Sequence, residues 1–151
     1  MIDIVEGDAT DIASIMPVMD DAFDPAFGEA WTSAQCLSAL AIPDCRLLIA
    51  KAGDKVAGFA MTRWVLETEE LLMIGVVRNW RRQNVGSMLL KDVVSRARED
   101  EREKLFLEVR DGNDAHDFYR AFGFIPIGRR KQYYRGSNGL RPDAITMVMN
   151  I

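Results

Sequence analysis

The chain has 151 residues, 48% of them hydrophobic and 28% charged, which is enough apolar material for one domain around one core and too much for a disordered segment. Its net charge of −4 argues against bulk binding to nucleic acid. Two cysteines and one histidine exclude a disulfide framework and a zinc set, and no apolar run is long enough to span a membrane.

In chain order, Ile2 to Val5 alternates as a first strand. Asp8 is placed to cap a helix running to about Phe23, with Ile12, Ile15, Met16 and Met19 on its inner face. Asp24-Pro25 breaks that helix, and a loop to Trp31 carries Phe27 and Trp31. Thr32 followed by Gln35 matches a capping box, which predicts a second helix to about Leu40. Arg46–Ala52 and Val56–Leu66 form a hairpin around Gly53-Asp54, and Glu69–Val77 is the central strand. A helix follows from Val85 to about Asp100, then a strand at Lys104–Val109. Asn113 or Asp114 opens a short helix that ends at Gly123. Phe124–Arg130 and Ala144–Asn150 close the chain as two strands, joined by a loop with Tyr133, Tyr134 and a Gly136–Gly139 turn. The order is βααβββαβαββ. The strand–helix–strand crossover in its middle makes the central strand and Lys104–Val109 parallel, and the rest is hairpin-connected. The fold class is therefore α/β, one mixed and mostly antiparallel sheet with helices on both faces, in a single domain over residues 1–151.

The stretch Leu71 to Leu90 is the chemical centre. An apolar strand ends at Val77, a basic turn follows, and Val85, Leu89, Val93 and Ala97 recur at helical spacing. The first turn of a helix offers unpaired N–H groups and partial positive charge. Gly86 lets a ligand approach the backbone, Asn84 tolerates a left-handed conformation, and Arg81 and Arg82 supply forked donors for phosphate oxygens. This composition suits an anion site at the helix start, although an ordinary turn with solvated arginines would read the same way. Acidic residues cluster elsewhere, at Asp20, Asp21, Asp24 and Glu29 and again at Glu67, Glu69 and Glu70. A basic cofactor side and an acidic acceptor side would suit a phosphorylated cofactor and a cationic acceptor.

The run Arg81-Arg82-Gln83-Asn84-Val85-Gly86 resembles the pyrophosphate-binding loop of the GNAT N-acetyltransferase superfamily, Arg/Gln-x-x-Gly-x-Gly/Ala, with Asn84 in place of the first glycine. The element order matches the GNAT fold, including its splayed parallel strand pair, over nearly the whole chain. Leu105 to Asn113, then Phe118-Tyr119-Arg120-Ala121-Phe122-Gly123-Phe124 and Arg129 to Tyr134, resemble the signature of the bacterial ribosomal-protein alanine N-acetyltransferases.

The resemblance implies acetyl-CoA as cofactor. Ile74, Gly75 and Val76 would hold its pantetheine arm, Arg81 to Ser87 its pyrophosphate, and Asn113 would add a contact. It implies Glu108 as general base and Tyr119 as general acid, with Glu69 or Glu70 as the rival base. Those residue types fit the chemistry. An ammonium must lose a proton before it attacks a thioester, a leaving thiolate gains from a donor, and no covalent enzyme intermediate is required. Read without the resemblance, Glu108 is equally an edge residue paired to Arg110 or Lys104, and Tyr119 a core aromatic. Gly75 is expected to allow a bulge that exposes backbone groups of the central strand.

The expected activity is acetyl transfer to a primary amine, with a protein N-terminal α-amine favoured because its pKa near 8 makes deprotonation cheap beside lysine near 10.4. Phe27, Trp31, Glu70, Tyr133 and Tyr134 would line the acceptor groove. A small-amine acetyltransferase and a non-catalytic CoA sensor are the alternatives. The expected setting is the cytoplasm, as monomer or homodimer, with neither membrane nor nucleic acid as partner and no metal.

Overall fold

The computed structural model describes residues 1–151. The strands are β1 (Ile2–Gly7), β2 (Cys45–Ala52), β3 (Lys55–Val65), β4 (Thr68–Val76), β5 (Lys104–Arg110), β6 (Ile125–Arg130) and β7 (Ala144–Asn150). The helices are α1 (Ile12–Ala22), α2 (Ser33–Leu40), α3 (Val85–Glu99) and α4 (Ala115–Phe122). The seven strands form one sheet in the order β1-β2-β3-β4-β5-β7-β6. Only β4 and β5 pair in parallel, and the other neighbours are antiparallel. This is the α/β architecture expected from the element order.

Helices cover both faces because each face of the sheet carries its own apolar set. On one side Leu89, Leu90, Val93 and Val94 of α3 and Tyr119 of α4 pack with Leu48, Ala60, Leu105 and Leu107. On the other, Ile12, Ile15, Val18 and Met19 of α1 and Cys36 of α2 pack with Leu47, Ile49, Phe59 and Met61. The alternation along β2 and β3 sends side chains to the two cores in turn, which specifies the register. No helix is long and apolar enough to cross a membrane, and no group of three or more His, Cys, Asp or Glu side chains is gathered in a way that would hold a metal.

Two local expectations are corrected. Asp8 caps a 3-10 turn, Ala9–Asp11, not an α-helix, because Asp11 closes the capping box back onto the Asp8 N–H; α1 begins only at Ile12. The bulge in β4 lies at Leu72 and not at Gly75. Met73 pairs with Met61 and Leu71 with Thr62, so Leu72 is the extra residue, whereas Gly75 pairs regularly with Phe59. Gly75 is small for a packing reason: a Cβ there would lie 3.1 Å from the Phe59 ring and 3.4 Å from both Ala22 and Phe23.

Candidate active site

The site begins where β4 and β5 part. Their register runs from Thr68 opposite Lys104 to Leu71 opposite Leu107 and then stops, although β4 continues to Val76 and β5 to Arg110. The Leu72 bulge falls immediately after the last paired residue, and a bulge bends and twists its strand. The strands diverge around a cleft of about 1050 Å³, walled by Leu72 to Val76 on one side and Leu107 to Arg110 on the other. One edge of β4 is left without a neighbouring strand there, so its backbone groups are available to a ligand.

At one end of the cleft lies the start of α3. Asn84 takes the left-handed conformation the sequence suggested, with φ 64°, and no side chain caps the helix. The first-turn N–H groups are therefore open donors at the positive end of a helix of 15 residues. Gly86 lines the cleft, and a Cβ there would meet nothing closer than the Phe118 ring at 3.6 Å, so the protein's own packing does not demand the glycine. Its missing side chain leaves room at the helix start.

The arginines divide their work. Arg78 Nε donates to the Asp21 carbonyl at 3.0 Å and Arg81 Nη2 to the Ala22 carbonyl at 3.1 Å, closing the C-terminal end of α1. Arg82 lines the cleft, is exposed, and makes no intramolecular hydrogen bond or ion pair. Gln83, Asn84, Val85 and Ser87 do not line the cleft. Gln83 Nε2 donates to the Asn79 carbonyl, and the Val85 side chain is in the core, so a Val85 contact to a ligand is restricted to its backbone.

The carboxylates separate clearly. Glu108 reaches the cleft from β5 with a side chain only 8% exposed. Arg130 Nε donates to its Oε1 at 2.8 Å and the Thr146 hydroxyl to its Oε2 at 2.6 Å. Its partner is thus Arg130 on β6, not Arg110 or Lys104. Glu70 also lines the cleft and receives Arg63 on Oε1, leaving Oε2 free. Glu69 is fully buried, lies outside the cleft, and has no hydrogen-bond partner for either oxygen. Burial pushes its carboxyl above the ordinary range, with the Arg46 and Arg102 charges pulling back.

Tyr119 packs its ring edge-on to Phe124, with centroids 5.8 Å apart, and turns toward the cleft a hydroxyl that makes no hydrogen bond within the protein. Burial, then the Glu29 charge, raises this hydroxyl far above its usual range, so it stays protonated. Tyr134 is raised in the same way, and its hydroxyl lies 3.4 Å from the Glu108 carbonyl.

The far end of the cleft is walled by Phe27, Glu29, Trp31, Tyr133 and Tyr134. Two loops supply them. Gly28, at φ 69°, sits where a Cβ would overlap the Arg135 carbonyl, and Ser137 N–H donates to the Pro25 carbonyl at 3.1 Å. Asn113 lines the cleft, but its side chain is engaged: Oδ1 accepts from the Ala115 N–H and Nδ2 donates to Glu29, each at 2.9 Å.

Sequence reasoning missed three contributors. Thr146 and Arg130 meet Glu108 only through the β5–β7–β6 pairing. Glu29 registered only as one charge in an acidic stretch.

The family model for the acetyltransferase (GNAT) family matches residues 14–124. The chain is 31% identical over 95 residues to a [ribosomal protein bS18]-alanine N-acetyltransferase of Haemophilus influenzae, covering 63% of this chain and 65% of that one. The chain thus spans slightly less than two thirds of that relative's length. It is 32% identical over 124 residues to the N-alpha-acetyltransferase RimI of Mycobacterium tuberculosis, covering 79% and 75%. The crystal structure of the ribosomal-protein-S18-alanine N-acetyltransferase from Escherichia coli superposes with a TM-score of 0.89 at 29% identity, over 100% of this chain and 94% of that one. The parted β4–β5 pair, the open start of α3 and a family match across most of the sheet agree, and the chain belongs to the acetyltransferase (GNAT) family.

Proposed function

We propose that this protein transfers an acetyl group from acetyl-CoA to the α-amine of a protein N-terminus, of the ribosomal-protein alanine type. The observation that carries the reading is the cleft between β4 and β5, which joins an unpaired strand edge, an uncapped helix start and two protonation-competent side chains. The names of the relatives support the choice of acceptor.

The site fits the cofactor on its own geometry. The room left at Gly86 and the open N–H groups of α3 suit a pyrophosphate, with Arg82 as the uncommitted cation. The backbone of Ile74 and Val76, on the unpaired edge of β4, suits an amide-bearing pantetheine arm. Acetyl-CoA would supply an activated acyl group as its thioester.

The chain's own residues then handle protons and position. Glu108 takes the proton from the acceptor ammonium, using the second lone pair that each engaged oxygen retains, directly or through water. Tyr119, held protonated by burial, donates to the departing sulfur. Unpaired N–H groups of β4 are placed to polarise the acyl oxygen. Phe27, Trp31, Tyr133 and Tyr134 enclose the peptide end of the acceptor.

The test pairs Glu108→Gln with Glu70→Gln. Glu108→Gln should lower turnover on an N-terminal peptide about 10²-fold or more with acetyl-CoA affinity unchanged, while Glu70→Gln stays within severalfold of wild type. The reverse ranking would move the base to Glu70. Turnover confined to small free amines would sink the peptide reading.

A further inference from the structure

Glu29 transfers no proton in the proposed chemistry, yet it lines the acceptor end of the cleft. It belongs to the Pro25–Trp31 loop, which is locked to the Arg135–Ser137 segment backbone to backbone. A Cβ on Gly28 would overlap the Arg135 carbonyl, a Cβ on Gly136 would overlap the Ala26 carbonyl, and Ser137 N–H donates to Pro25. The two loops form one strap, and the strap carries the aromatic acceptor wall.

Glu29 fastens this strap to the opposite wall. Arg110 Nε donates to Oε1 and Asn113 Nδ2 to Oε2, each at 2.9 Å. The two charged side chains are only 12% and 14% exposed, so the pair is shielded from solvent. The Arg110 guanidinium also lies 3.8 Å over the Phe27 ring, which adds a cation–π contact from the same strap. Arg110 ends β5, the strand of Glu108, and Asn113 Oδ1 accepts from the N–H of Ala115, the first residue of α4, the helix of Tyr119. One carboxylate thus ties the acceptor wall to both elements that carry the base and the acid.

We propose that Glu29 is a latch, a positioning residue that fixes the strap against the ends of β5 and α4 and so sets the affinity for the acceptor. This rests on the transferase reading. A misplacement of about 1 Å at such a wall costs up to 10²-fold, so the latch is expected to act on acceptor KM.

The test compares Glu29→Gln, Arg110→Gln and the double variant. Each single change should raise KM for an N-terminal peptide about tenfold, with kcat within about threefold and acetyl-CoA affinity unchanged by calorimetry. The double variant should be less impaired than the two single effects combined, because both remove the shared ion pair. Amide hydrogen exchange in residues 24–31 and 133–140 should accelerate in all three. Exchange that stays at wild-type rates overturns the latch whatever the activity, as do additive KM effects or a parallel loss of acetyl-CoA binding. A wild-type protein that acetylates no peptide overturns the peptide-acceptor reading instead, and exchange still reads the latch.

Discussion

Tyr119→Phe separates chemistry from stability at one atom. Tyr119 is 6% exposed, and its ring packs at 5.3 Å from Phe118 and 5.8 Å from Phe124, centroid to centroid. Phenylalanine keeps those ring contacts and the buried apolar area. The lost hydroxyl has no hydrogen-bond partner in the protein, so its removal strands no donor or acceptor. Stability should change by no more than about 0.5 kcal/mol. Turnover should fall about 10²- to 10⁴-fold, which is about 2.7 to 5.4 kcal/mol of barrier, if the hydroxyl protonates the leaving sulfur. Burial holds that hydroxyl protonated beyond the usual tyrosine range, so the wild-type rate should show no descending limb from Tyr119 below about pH 10. Urea unfolding gives the stability, and thiol release from acetyl-CoA gives the rate. A Tyr119→Phe protein with wild-type turnover, or one destabilised by several kcal/mol, would refute the assignment of a free hydroxyl acting as acid.

Gly28→Ala should cost about 2 kcal/mol or more, since φ 69° is strained for alanine and the new Cβ meets Arg135 backbone; Gly53→Ala, at φ 63° in open space, should cost only about 1 kcal/mol. Equal urea midpoints for the two would show that the strap is not packed as described. Burial raises the folded-state pKa of Glu69 above that of a solvated glutamate, so it contributes stability that is present at acid pH, below the unfolded-state value, and is lost as pH rises through the folded value. Glu69→Gln should therefore gain stability relative to wild type as pH rises from about 4 to about 8, and a constant difference over that range would contradict this. Asn84→Val should cost about 1–2 kcal/mol at φ 64°, whereas Asn84→Gly should hold both stability and acetyl-CoA affinity; calorimetry and urea titration check both.

What was legible in the sequence was local. The Thr32/Gln35 capping box forms as read, with both reciprocal bonds in place. The strand–turn–helix of residues 71–90 was visible because its apolar period changes from strand to helix, and Asn84 was marked as a left-handed residue by type alone. What was not legible depends on residues far apart in the chain. The bulge sits at Leu72 because of how β4 meets β3, and no feature of β4 itself distinguishes Leu72 from its neighbours. Gly75 attracted the bulge reading because glycine commonly marks one, but here it makes room for Phe59. Glu108 was marked as a candidate by the family resemblance, but Arg130 and Thr146 reach it only after β7 inserts between β5 and β6. Glu29 lies 81 residues from Arg110 and 84 from Asn113, and nothing periodic connects them.

The most direct measurement is mass spectrometry of a peptide with an N-terminal alanine and an internal lysine after incubation with acetyl-CoA and the protein, beside the same peptide with its α-amine blocked. The account predicts one acetyl group on the α-amine of the free peptide and none on the blocked one. Acetylation of the lysine in both peptides, or of neither peptide while a small amine is turned over, would contradict it.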